Sequence, residues 1–224
     1  MSSREHFEVH ITVDDTNDVL LYGFVQNFKK INSDLAKLKI PSCFINPHIL
    51  CARALYGKHP KQLMFTGSIY GEFDYIKKVT LLLADDMKLH GINVLRTKIE
   101  GLASTSHIGM YYESHFKINT NVTDDWNTIA KHVIKTGGHL SYNMNDKVPH
   151  PIVTFRVYSS IDELKSITYS AIDYITNIMN LNLLSNPRFE CVLYDDNIMI
   201  DSGWIFNDVP NNLITTLPNE ALFA

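Results

Sequence analysis

Hydrophobic and polar residues alternate through Phe7–Val13 (FEVHITV), with Phe7, Val9, Ile11 and Val13 two apart, the period of a strand with one covered face. The DDTND that follows supplies helix-starting side chains, and Val19–Ile31 then carries apolar residues at helical spacing. Further on, the pattern predicts strands at Ser42–Ile45 and Gln62–Ile69. An amphipathic helix follows over Glu72–Leu89, stopped by His90-Gly91, and then a strand at Ile92–Glu100. The same order returns in the second part of the chain. Strand Tyr112–Ile118 precedes a helix over Trp126–Lys135, opened by Thr123-Asp124-Asp125 and closed by Gly137-Gly138. Strands His139–Asn143 and Ile152–Tyr158 follow. A helix over Ile161–Met179 comes next, with Ser160 and Glu163 as a capping box, and Phe189–Tyr194 is the last strand.

Both parts therefore read β-α-β-β-α-β, the ferredoxin-like order. The expected fold class is α+β: a tandem duplication of ferredoxin-like halves, with antiparallel sheets and helices on one face. The first strands are offset by 105 (His10 to His115) and the third strands by 88 (Thr66 to Thr154). The difference of 17 places an inserted loop at 46–61. The domain expectation is a first half over 1–101, a linker over 102–111, a second half over 112–200 and a C-terminal tail over 201–224.

Charge changes the picture little. The chain of 224 residues carries a formal charge of −4, from +2 over 1–105 and −6 over 106–224, so a general DNA-binding role is not expected. Cys43, Cys51 and Cys191 make no CxxC pair, which points to a reducing, cytoplasmic setting. No apolar run is long enough for a membrane span, and no membrane partner is expected.

Candidate chemistry comes from the strand faces turned away from the helices, since residues two apart share a face. His10 and Thr12, Thr66 and Ser68, and Lys98 and Glu100 recur at this spacing in the first half. His115 and Lys117, Ser141 and Asn143, Thr154 and Arg156, and Glu190 do so in the second. Imidazoles exchange protons near neutral pH, and cations with hydroxyls hold phosphoryl oxygens. Such a set suits a phosphodiester ligand.

The chain resembles the two-histidine phosphoesterases, a bilobal family with one H-x-[T/S] motif per lobe. His10-Ile11-Thr12 is a complete motif; in His115-Phe116-Lys117 a lysine replaces the hydroxyl residue. The resemblance implies a hydrolase acting on a nucleotide or RNA-end cyclic phosphodiester, with no metal and no other cofactor. It makes His10 and His115 the acid/base pair and Thr12 a phosphate contact, with Lys117 as substitute. Lys98, Arg156, Thr154, Ser141 and Asn143 are expected to line the same phosphate-binding site.

Two alternatives stand beside it. His10, Glu100, His115 and Glu190, two imidazoles and two carboxylates from matching places, resemble the metal ligands of the vicinal-oxygen-chelate enzymes. That family's module is βαβββ, a different element order. The other alternative is a non-catalytic binding or assembly module, with Trp204 and the tail as an interface.

Overall fold

In the computed structural model the described residues are 5–37, 44–55, 57, 59–103 and 108–203. Cys43, His107, Trp204 and the remainder of the expected tail lie outside them. The first half runs β1 (Glu5–Val13), α1 (Asp18–Lys37), β2 (Ile45–Ala54), β3 (Lys61–Gly71), α2 (Phe73–Leu89) and β4 (Val94–Leu102). The second runs β5 (Tyr111–Lys117), α3 (Thr123–Lys135), β6 (His139–Asn143), β7 (Ile152–Val157), α4 (Ile161–Asp173) and β8 (Arg188–Asp195).

Local chemistry explains most of the element ends. Asp14 accepts from the Thr16 amide at 3.0 Å, closing the turn that leads into α1. Glycine at 91, with φ +78°, ends α2 in the left-handed conformation that a Cβ disfavours. Ser160 accepts from the Glu163 amide at 3.2 Å, as the capping box requires, and α4 loosens into a π-turn over Tyr174–Ile178. Among the described residues no helix is long and apolar enough to cross a membrane.

Two compact units emerge, one of residues up to 51, 62–110 and 191–198, the other of 52–61, 111–190 and 199 onward. Each has its own apolar core. In the first, Phe7, Val9, Ile11 and Val13 of β1 are buried under Leu21 and Val25 of α1 and Ile76, Leu83, Ala84 and Met87 of α2. In the second, Phe116, Val153 and Phe155 pack with Trp126, Ile129 and Val133 of α3 and Leu164 and Ala171 of α4. On β1, β5 and β7 the residues of these cores thus face the helices, and Glu8, His10, Glu113, His115 and Thr154 take the alternate positions.

The structure corrects the expectation of ferredoxin-like halves with open sheets. Strand pairing runs β1-β3-β2-β6-β7-β5-β8-β4 and closes into one eight-stranded barrel. A closed barrel leaves no bare strand edge, which removes the template for unwanted pairing. The inserted loop expected at 46–61 is corrected with it, because β2 occupies Ile45–Ala54. Pro47 obscures that strand in the sequence, but proline is tolerated at a strand's start. The extension has a use: Ala52, Arg53 and Ala54 pair with Asn143, Tyr142 and Ser141 of β6.

Candidate functional site

The polar face of the first half gathers an imidazole, two carboxylates, a hydroxyl and an ammonium. On β1, Glu8 and His10 lie two apart and so share the face opposite the helices. On β4, Lys98 and Glu100 do the same, and pairing sets His10 opposite Lys98 and Glu8 opposite Glu100. On β3, Thr66 stands opposite His10. The His10 Nε2 atom lies 2.8 Å from Glu100 Oε2 and 3.9 Å from Glu8 Oε2. Its Nδ1 lies 3.1 Å from the Thr66 hydroxyl, so the ring is held from both sides. Lys98 Nζ, 2.5 Å from Glu100 Oε1, turns the other carboxylate oxygen toward the imidazole.

The second half repeats this arrangement with substitutions. Glu113 and His115 lie two apart on β5, Thr154 stands opposite His115 on β7, and Arg188 and Glu190 lie two apart on β8. His115 Nδ1 is 2.8 Å from the Thr154 hydroxyl. Its Nε2 is 3.5 Å from Glu113 Oε2 and 3.3 Å from Glu190 Oε2. Arg188 Nε is 2.7 Å from Glu190 Oε1, as Lys98 is on Glu100. The difference is Arg156. Its Nε and Nη2 donate to Glu113 Oε1 at 2.8 and 2.6 Å, and Nη2 also donates to Asp201 Oδ2 at 2.6 Å. The guanidinium lies over the Tyr111 ring, 4.2 Å from its centroid.

These surroundings set the charge of the second-half imidazoles. Burial works against a charged His115, but hydrogen bonds to Glu113 and Glu190 and their negative charges outweigh it and raise its pKa to about 10. At neutral pH His115 is an imidazolium. His139, buried on β6, is pushed down to about 3 by loss of solvation, against the pull of Asp201, and stays neutral.

The remaining expected site residues fall elsewhere. Thr12 is buried, opposite Met64 and Arg96. Lys117 turns its ammonium to Asp146, at 3.1 Å, and Asn143 donates to the same carboxylate at 2.9 Å. Ser141 is buried on β6 opposite Ala54 and Ile152. His10, Thr66, Lys98 and Glu100 are brought together in one half, and His115, Thr154, Arg156 and Glu190 in the other. Sequence reasoning missed Glu8 and Glu113, and it read Asp201 as a turn residue rather than a partner of Arg156. The signal for the first two was present, since E-x-H occurs in both first strands, as does [K/R]-x-E in both last ones.

No protein-family model matches the chain, and no curated protein does. Among solved structures it is similar to a candidate monooxygenase from Fusobacterium nucleatum. The two are 12% identical over 88% of this chain and 96% of that one, with a TM-score of 0.33. A candidate chlorite dismutase is 12% identical over 88% and 97%, with a TM-score of 0.28. A haem-binding protein from Thermus thermophilus is 9% identical over 85% and 92%, with a TM-score of 0.29.

The expectation of a hydrolase is corrected here. The local chemistry gives the physical reason. The cations expected to hold phosphate are spent on carboxylates: Lys98 on Glu100, Lys117 on Asp146, Arg156 on Glu113 and Asp201. Each imidazole faces two carboxylates, which repel a phosphate. His115, an imidazolium with a pKa of about 10, is no general base at neutral pH.

Proposed function

We propose that this protein binds a divalent metal ion in its first half and uses it to hold and polarise a small oxygen-donor ligand. The observation that carries the reading is the convergence of Glu8, His10 and Glu100. One ligand atom from each lies within 4.8 Å of the others. Nitrogen and oxygen ligands bonded to one ion at about 2.0–2.2 Å stand roughly 3–3.5 Å apart. The separations of 2.8 and 3.9 Å from His10 Nε2 bracket that spacing, so small side-chain movements suffice. One imidazole with two carboxylates suits Mn²⁺, Fe²⁺, Co²⁺ or Zn²⁺.

The supporting groups have the form metal sites require. Thr66, acting on Nδ1, fixes the ring so that Nε2 faces the carboxylates, and Lys98 orients Glu100. Three protein ligands leave positions open for water or a ligand oxygen, the pattern of catalytic rather than structural sites. The site opens on the side of Glu8, whose side chain is 21% exposed against 2% for Glu100. A metal there supplies Lewis acidity toward a bound oxygen. The reading keeps metal chemistry but not the βαβββ module of the vicinal-oxygen-chelate enzymes, because each half here runs β-α-β-β-α-β.

Titration of the purified protein with Co²⁺, followed by visible absorption, tests this. A saturable d–d spectrum is expected, with affinity at least about tenfold lower in Glu100→Gln. No binding of Co²⁺, Mn²⁺ or Zn²⁺ at millimolar concentration would overturn it.

A further inference from the structure

Glu100 presents its two carboxylate oxygens to two different partners. Oε2 lies 2.8 Å from His10 Nε2, and Oε1 lies 2.5 Å from Lys98 Nζ. Lys98 and Glu100 are two apart on β4 and share a face, with Lys98 opposite His10 in the register of β1 and β4. The pair is nearly dry: the Glu100 side chain is 2% exposed and that of Lys98 13%. A charge-assisted bond in such surroundings is strong, and an ion that took Oε1 would have to displace an ammonium and leave it buried. The matching place in the second half is built the same way, with Arg188 Nε 2.7 Å from Glu190 Oε1.

We propose that Lys98 is a positioning residue that holds Glu100 to a single metal-facing oxygen and so selects the ion, favouring Zn²⁺ or Co²⁺, which are content with few protein ligands, over Mn²⁺ or Ca²⁺. This rests on the metal reading above and adds what discriminates among the ions. With Oε1 engaged, the first half offers one donor atom from each of Glu8, His10 and Glu100. Three such donors and an open position make the four-coordinate site that zinc takes. Mn²⁺ and Ca²⁺ take about six or more ligands, mostly oxygen, and gain from a carboxylate that binds through both oxygens. Thr66 holds the His10 ring through Nδ1, so the ring does not swing aside to admit a wider shell. Loss of the ammonium would also remove a positive charge from beside the ion, which favours every dication alike. Only the released oxygen separates one ion from another.

Affinities of the full chain for Zn²⁺, by competition with a chromophoric chelator, and for Mn²⁺, by the paramagnetic resonance of the free ion, test the proposal. In Lys98→Met the ratio of Mn²⁺ to Zn²⁺ affinity is expected to rise at least about tenfold. Lys98→Arg is expected to keep the wild-type ratio, as the arginine at the matching place of the second half implies. Circular dichroism and the thermal midpoint check that both variants are folded. A merely structural lysine would weaken both ions together, and a lysine acting through charge alone would strengthen both together. Either result leaves the ratio unchanged in Lys98→Met and overturns the proposal. Infrared difference spectra of the Zn²⁺-loaded wild type give a second measurement that needs no lysine variant. The carboxylate stretches that Glu100→Gln removes should be widely split, as for binding through one oxygen. A narrow splitting, as for chelation through both, overturns the proposal even where Lys98→Met does not fold. Each of these failures leaves the metal reading standing, whereas a wild type that binds neither ion overturns the reading itself.

Discussion

His10 and His115 occupy the same place on the first strand of their halves, and each has a threonine on Nδ1 and carboxylates on Nε2. A ring held from both sides loses little freedom on meeting a ligand, which is what supporting hydroxyls contribute. Replacing Thr66 with valine keeps the volume and deletes the hydroxyl. Co²⁺ affinity should fall about tenfold or more while the fold persists, and an unchanged titration would remove Thr66 from the groups that support the ring. His115 makes a different prediction. Its folded pKa of about 10 lies above the ordinary 6.5, so folding favours its charged form. That contribution is whole below about pH 6.5 and is lost as pH rises toward and through 10. The urea midpoint of the wild type should therefore decline from pH 6.5 to about 10 more steeply than that of His115→Gln, and parallel curves would refute it. The histidines were legible because they stand at matching places in a repeated pattern. Glu8 and Glu113 were equally visible by the period-two rule. They acquire meaning only once Glu100 and Glu190 are known to face the same imidazoles, and Glu100 lies 90 residues from His10 in the chain.

At the scale of elements, strands and helices follow local periodicity closely. The buried residues of α2, Ile76, Thr80, Leu83, Ala84 and Met87, recur at three- and four-residue intervals, as its sequence pattern requires. Gly137 closes α3 with φ +82°, and Gly138 meets the sheet directly after it. A Cβ at 138 would stand 2.5 Å from the Phe155 ring and 2.9 Å from the Thr154 carbonyl oxygen, so the glycine is required by close approach. Gly138→Ala should destabilise the fold by about 1–3 kcal/mol in urea unfolding, the ordinary cost of overpacking. A neutral substitution would mean that Phe155 gives way freely. The strand that local reading misplaced is β2, expected at Ser42–Ile45 and found at Ile45–Ala54. Asn46 takes a positive φ of 50° and Pro47 follows it, both marks of a turn, yet the chain from Ile45 onward is extended. Pairing of Ala52–Ala54 with β6 is a long-range interaction that overrides the local signal.

For the molecule as a whole, strand order decides the architecture, and a buried ion pair secures one of its joins. Arg96 on β4 donates to Asp195 on β8 through Nε at 2.9 Å and Nη2 at 2.5 Å, with both side chains almost wholly buried. Asp196 accepts from the Thr97 amide at 2.7 Å beside it. Asp195→Ala leaves the guanidinium buried and unpaired and should cost about 3–5 kcal/mol in denaturant unfolding. Arg96→Met combined with Asp195→Leu should recover most of that loss, and failure of the double variant to do so would show that the pair is needed for more than charge balance. Local sequence was enough to specify most of the strands and helices in outline, their repeated order, and the face of β1 that the helices cover. All of these depend on neighbours a few residues apart, through the two-residue and 3.6-residue periods. Only long-range packing established that the strands close into a barrel, that the expected insertion is a strand, and which acids meet which imidazoles. Those are pairings between distant parts of the chain, as with Arg96 and Asp195, 99 residues apart, and no local period encodes which remote strand edge a given edge will meet.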